Sequence, residues 1–258
     1  MSGLELDGKT YLVVGAGGRL GKIIVNALLE AQCSVVAVDF SAAAIDEIRA
    51  AMSTSQHFMA VQADITDVDQ VAAIFTQAQE RFGELHGAVN SAYPRNANYG
   101  RAFLDVDYRD FSENVALHLG GYFIFMQQCV KYAKTSASVF SLVNMSSIYG
   151  VVAPRFELYE GTQMGMPVEY AAIKSGLQHI TRYANAFAKE LGFRANCLCP
   201  GGILDGQDPQ FLKRYAKYCQ NKGMLDASDV LGSTLFLLSP LSQYVVGQIL
   251  VVDDGFTL

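Results

Sequence analysis

The chain has 258 residues, 51% of them hydrophobic, and a formal net charge of −6. A chain of this length can bury a large core without disulfide or metal support, and the lack of any basic run argues against nucleic acid as a partner. Five cysteines without CxxC spacing, no apolar stretch near the roughly 18 residues of a membrane span, and no basic-then-apolar leader at the N-terminus predict a cytoplasmic protein with buried free thiols, no metal and no membrane partner.

Short β-rich apolar runs alternate with longer amphipathic segments along the whole chain. The runs predict strands at 11–14, 34–38, 57–62, 87–90, 139–145, 194–198 and 249–252. The amphipathic segments predict helices at 20–31, 41–53, 67–82, 107–133, 169–191 and 227–238. Strict alternation implies a parallel sheet covered on both faces, and right-handed crossovers then give a doubly wound, seven-stranded α/β (Rossmann) fold in one domain. Two segments break the rhythm: 92–104 (AYPRNANYGRAFL) and 153–167 (APRFELYEGTQMGMP). Both follow predicted strands, so both belong at the carboxyl edge of the sheet, where ligands bind in open α/β folds.

The first strand runs into Gly15-Ala16-Gly17-Gly18-Arg19-Leu20-Gly21 and then a helix. Glycines allow a tight turn and close approach to a pyrophosphate, and the helix N-terminus offers unpaired N–H groups and a favourable dipole. The turn therefore predicts dinucleotide binding. Asp39 ends the second strand about 20 residues beyond the turn, where a carboxylate accepts hydrogen bonds from ribose hydroxyls and repels a 2′-phosphate; it predicts NAD over NADP. Arg19 argues the other way, because a guanidinium there could pair with that phosphate.

Farther along, Tyr170 and Lys174 stand four apart on a predicted helix and share a face. An ammonium beside a phenol lowers the phenol's pKa, and the phenol can then exchange the proton that accompanies hydride transfer. The run Leu142-Val143-Asn144-Met145-Ser146-Ser147 ends one strand upstream, and Cys199-Pro200-Gly201-Gly202 ends another downstream.

In this order (glycine turn, Asn90-Ser91-Ala92, serine, YxxxK, Pro-Gly) the chain resembles the short-chain dehydrogenase/reductases over essentially its whole length. The resemblance implies that Ser147 hydrogen-bonds the reacting oxygen, with Ser146 as a rival. It implies that Lys174 contacts the nicotinamide ribose and that Pro200 and Gly201 line the nicotinamide pocket. Asp64 and Ile65 would read the adenine edge, and Asn90 and Ala92 would stabilise the sheet as well as line the cofactor cleft, two roles the sequence alone does not separate. The turn departs from the family's TGxxxGxG, with Val14 for threonine and Arg19 for the middle glycine. The threonine usual after Pro-Gly is missing, and Ile203 stands in that stretch. Where many members carry a relay asparagine, His118 aligns; it titrates near neutrality and can carry a proton, with Asn114 as the alternative and a plain helix-contact histidine as the bland reading.

Ser147 and Tyr170 lie 23 positions apart, against about a dozen in the family. The extra residues are segment 153–167, which predicts a wall or lid for a substrate pocket. It brings Arg155 and Tyr159; the other loop brings Tyr93 and Arg95. Aromatics mixed with hydrogen-bonding groups suit a polar substrate, and Arg95 and Arg155 could clamp a phosphate or carboxylate. The runs AYPRNANYG, LHLGGYF, PGGIL and VVDDGFTL resemble a narrower group of bacterial oxidoreductases of surface and flagellar glycan (nonulosonic acid) biosynthesis, which implies a sugar or nucleotide sugar. The family also implies a homotetramer or dimer. Two other readings stay open: an NAD-retaining sugar epimerase or dehydratase, and a non-catalytic NAD-binding protein.

Overall fold

The computed structural model describes residues 3–52 and 55–258. Residue 53, the predicted end of the second helix, and the first two residues of the chain lie outside the described residues.

Among the described residues, seven strands form one parallel sheet: β1 (Thr10–Val14), β2 (Ser34–Asp39), β3 (Phe58–Gln62), β4 (Gly87–Asn90), β5 (Phe140–Met145), β6 (Phe193–Pro200) and β7 (Ile249–Val252). Their order is β3-β2-β1-β4-β5-β6-β7. The order reverses between β1 and β4, and the crevice above that point is where a doubly wound sheet receives a ligand.

The helices are α1 (Arg19–Glu30), α2 (Ala42–Ala51), α3 (Val68–Phe82), α4 (Tyr108–Ala133), α5 (Val168–Phe187), α6 (Pro209–Tyr215) and α7 (Leu231–Leu238). Alternation along each strand divides the core. Leu12, Val14, Val36 and Val38 pack against α3, α4 and α5 through Ile74, Phe75, Phe125 and Leu177. Tyr11, Val13, Val35 and Ala37 pack against α1, α2 and α7 through Ile24, Leu28, Ile48 and Leu235. A sheet buried on both faces needs such unbroken apolar strands.

The helix starts follow from capping chemistry. Ser41 accepts from the Ala44 N–H and Asp67 from those of Asp69 and Gln70, so neither Asp39 nor Asp64 serves as a helix cap. Two predicted helices differ, and one helix was not predicted. The segment predicted to run to 191 ends at Phe187, and a turn over 188–192, with Gly192 at φ +62°, leads into β6. Residues 227–230 form a 3-10 turn ahead of α7. The sequence reading passed over α6, although Asp208 caps it by accepting from Gln210 N and Phe211 N and Pro209 occupies its first turn.

Candidate active site

At the switch point, Gly15 holds φ +75°, and a Cβ there would come within 2.8 Å of the Ala92 nitrogen. A Cβ on Gly21 would lie 2.1 Å from the Gly15 carbonyl oxygen. The turn can therefore fit against the end of β4 and the start of α1 only with hydrogen at both positions. Gly18 is the N-cap of α1 and supplies no side-chain cap, which leaves first-turn N–H groups free to meet an anion. The cradle fits a dinucleotide pyrophosphate.

Beside it lies a cavity of about 530 Å³ lined by Asp39, Asp64, Ile65, Ala92, Tyr93 and Arg95, among others. The Asp39 carboxylate accepts from Gly17 N (2.8 Å) and Ser41 N (2.9 Å), which fixes it at the rim. One oxygen of Asp64 accepts from the N–H and hydroxyl of Thr66. The Arg19 guanidinium pairs with the Asp205 carboxylate and donates to the Leu204 carbonyl, so its charge is already met within the chain. Asn90 is fully buried; its Oδ1 accepts from Ala92 N at 3.2 Å.

A second cavity, about 390 Å³, is lined by Ser146, Ser147, Tyr170, Pro200, Gly201 and Ile203, with Leu20 from the glycine turn. Tyr93 lines both cavities. Its ring packs edge-on against Tyr99, His118 and Tyr170, with centroids 4.9–5.7 Å apart. The hydrogen bonds separate the two serines. Ser146 Oγ donates to the Lys174 carbonyl (3.1 Å) and accepts from Gln178 (3.2 Å), tying β5 to α5. Among the described residues, Ser147 Oγ accepts a backbone N–H, that of Tyr149, and no side-chain donor, and it lies close enough to Tyr170 to lower its pKa.

Lys174, almost fully buried, donates to the Met145 carbonyl at 2.7 Å, and its Nζ lies 3.4 Å from His118 Nε2. Burial pulls its pKa down to about 7. Burial also pushes Tyr170 above its ordinary value, and the Ser147 hydroxyl opposes this only in part. The expected acid phenol is thus corrected: Lys174 points at Met145 and His118, 5.5 Å from the Tyr170 ring centroid, and desolvation is the largest influence on the phenol.

His118 is fully buried. Desolvation first, then the charges of Lys174 and Arg95, hold its pKa well below the ordinary histidine value, and its Nδ1 has no partner among the described residues. Asn114, the rival, is engaged elsewhere: its Oδ1 accepts from Asn96 N (2.9 Å) and its Nδ2 donates to Glu169 (3.5 Å). Of the two, His118 is the one that meets the lysine.

The arginines do not converge. Arg95 lies over the Tyr93 ring at 4.8 Å and lines the larger cavity. Arg155 lies over Tyr218 at 4.2 Å and lines neither. Tyr159, Met164 and Met166 from segment 153–167 do line the smaller cavity. Sequence reasoning passed over Tyr149, Phe211, Tyr215 and Met224 on the same wall. The Asp208-Pro209 start of α6 was the available signal for Phe211 and Tyr215; nothing local marks Tyr149 or Met224.

No helix among the described residues is long and apolar enough to cross a membrane. Residues 15–257 match the family described as enoyl-(acyl carrier protein) reductase. Post-translational flagellin modification protein A of Campylobacter coli is 38% identical over 98% of this chain and all of its own length. The 2,5-dichloro-2,5-cyclohexadiene-1,4-diol dehydrogenase of Sphingobium indicum is 26% identical over 98% of both chains. A short-chain dehydrogenase from Leptospira borgpetersenii, solved with bound NAD+, superposes with a TM-score of 0.84 at 30% identity, covering 98% of this chain and 94% of that one. With the glycine cradle, the YxxxK pair and the seven-stranded sheet in place, these matches settle the family: the chain is an oxidoreductase of the short-chain dehydrogenase/reductase family.

Proposed function

We propose that the chain moves hydride between NAD and a carbonyl or alcohol of a small polar molecule, with Ser147, Tyr170 and Lys174 at the reacting centre. The observation that carries this reading is the meeting of Tyr170 and Ser147 in a cavity that shares the Tyr93 wall with the cavity of Asp39. The glycine cradle, Asp39, Asp64 and Ile65 would hold the pyrophosphate and adenosine end; Pro200, Gly201 and Ile203 would flank the nicotinamide. When bound, the nicotinamide supplies the hydride donor or acceptor.

The chain's own residues handle the proton. Tyr170, kept neutral by burial, donates its proton to a carbonyl oxygen that Ser147 holds by a hydrogen bond, and takes it back in the oxidative direction. Lys174, with a pKa near 7, is placed to hold or release a proton next to His118. His118 thereby takes the position of the family's relay asparagine.

Asp39 on the rim and Arg19 paired with Asp205 both favour NAD. The substrate class, a sugar or nucleotide sugar, rests on the flagellin-modification relative. We further propose that a second copy covers the exposed apolar residues Phe123, Tyr183 and Phe187 on α4 and α5, and that the protein works in the cytoplasm, where its free cysteines stay reduced. Parallel titrations with NADH and NADPH, followed by nicotinamide fluorescence, test the cofactor reading. NADH binding about tenfold tighter or more is expected, and tighter binding of NADPH overturns it.

A further inference from the structure

The wall of the smaller cavity comes from pieces far apart in the chain. Tyr149 follows the catalytic turn; Tyr159, Met164 and Met166 come from the extra segment; Phe211 and Tyr215 come from α6. Among the described residues lining this cavity, none carries a formal charge. The nearby cations are turned elsewhere. Arg155 lies over Tyr218 and Phe256, and Arg214 donates to the carbonyls of Leu158 (3.2 Å) and Glu160.

What the wall does offer is a pair of phenol hydroxyls. The Tyr149 and Tyr159 oxygens lie 2.9 Å apart. Burial pushes both pKa values up, so both stay neutral. One hydroxyl donates to the other, so the donor keeps free lone pairs and the acceptor keeps its own proton to give. Around them stand aromatic faces and thioethers, which suit the C–H face of a ring. An unpaired phosphate or carboxylate in such a cavity is strongly penalised, whereas a hydroxyl finds its partner.

We propose that this cavity takes the reacting end of the substrate as an uncharged, hydroxyl-bearing ring, and that the Tyr149–Tyr159 pair reads a second hydroxyl on it. The inference rests on Tyr170 and Ser147 being the reacting centre. Arg95 and Arg155 then take no part in gripping that end, and any charged portion of the substrate stays outside.

The test uses matched pairs of probes on the NADH complex, with binding read by saturation-transfer NMR. The pairs are trans-1,2-cyclohexanediol against trans-2-hydroxycyclohexanecarboxylate, and myo-inositol against inositol 1-phosphate. Expected is binding of at least one neutral ring, about tenfold or more tighter than its charged partner. Tyr149→Phe and Tyr159→Phe should each weaken it by about three- to tenfold while NADH affinity holds. Charged partners that bind as well or better, no neutral ring binding at all, or two phenylalanine variants that bind like the parent would each overturn the proposal. Should NADH fail to bind, the dinucleotide reading falls, and the same pairs on the protein alone still decide the cavity's preference.

Discussion

The turn after β1 and the wall beyond β5 achieve their shapes by opposite means. The turn is seven consecutive residues whose geometry is backbone geometry: Gly15 at φ +75°, Gly21 with no room for a Cβ, and Gly17 held by Asp39. The wall is side chains brought from five separate stretches. Tyr159 packs on Phe211 at 5.1 Å, Phe211 on Tyr215 at 5.9 Å, and Tyr215 stacks on Phe256 at 4.3 Å. Backbone-built sites resist any added atom but need little from neighbours. Side-chain-built sites tolerate local change yet fail when a distant support is removed.

The sharpest way to probe the junction of the two is Tyr170→Phe. Turnover should fall about 10²–10⁴-fold, the range of a lost general acid or base, while NADH affinity changes little. Unchanged turnover would break the assignment of the proton to Tyr170. Next is Phe256→Ala, 41 residues beyond the end of α6 in the chain but fully buried against Tyr215, whose hydroxyl accepts from Gly202 N at 2.7 Å. Stability should drop by about 3–5 kcal/mol in denaturant melts, and substrate KM should rise more than NADH Kd. Equal effects on both would mean that the wall and the turn are not separable. Third is Gly21→Ala, where one methyl group meets backbone 2.1 Å away. It should lower stability by about 1–3 kcal/mol and weaken NADH, leaving the substrate wall's own packing in place.

The contrast also explains what could be read without coordinates. All seven strands and the glycine turn announce themselves because their signals are local: apolar runs, glycine spacing, an acid at the end of β2. The YxxxK pair is local too, being one helical turn. What escaped was non-local. That Lys174 faces Met145 and His118, and that burial raises rather than lowers the Tyr170 pKa, depends on how β5, α4 and α5 meet. Arg155 looked like an anion clamp in a polar loop, but an aromatic partner 63 residues on, Tyr218, takes its guanidinium face. His118 was legible as a candidate by alignment; that it meets Lys174 while Asn114 is engaged by the loop residue Asn96 depends on how the loop packs on α4.

A smaller effect tests the turn's rim. Replacing Asp39 with serine removes the charge that should repel a 2′-phosphate, and the NADH-to-NADPH affinity ratio should fall about tenfold, ~1.4 kcal/mol. A ratio that does not move would shift discrimination to Arg19 and Asp205.

The last expectation concerns Lys174, where the effect is smaller still and its dependence on pH carries the information. Burial lowers its pKa from the ordinary 10.5 to about 7. Below pH 7 both folded and unfolded chains carry the proton, and the penalty for burying the ammonium is present in full. Between about 7 and 10.5 the folded chain has shed a proton that the unfolded chain keeps, so this penalty shrinks as pH rises. Lys174→Met removes the penalty but also the bonds to Met145 and His118, so its net gain at pH 6 should be about 1 kcal/mol. The thermal midpoint of the variant should therefore exceed the parent's at pH 6, and the difference should close or reverse by pH 10. A difference that stays flat across that window would mean that Lys174 titrates at its ordinary value, and that the proton next to His118 is held too tightly to move during turnover near neutrality.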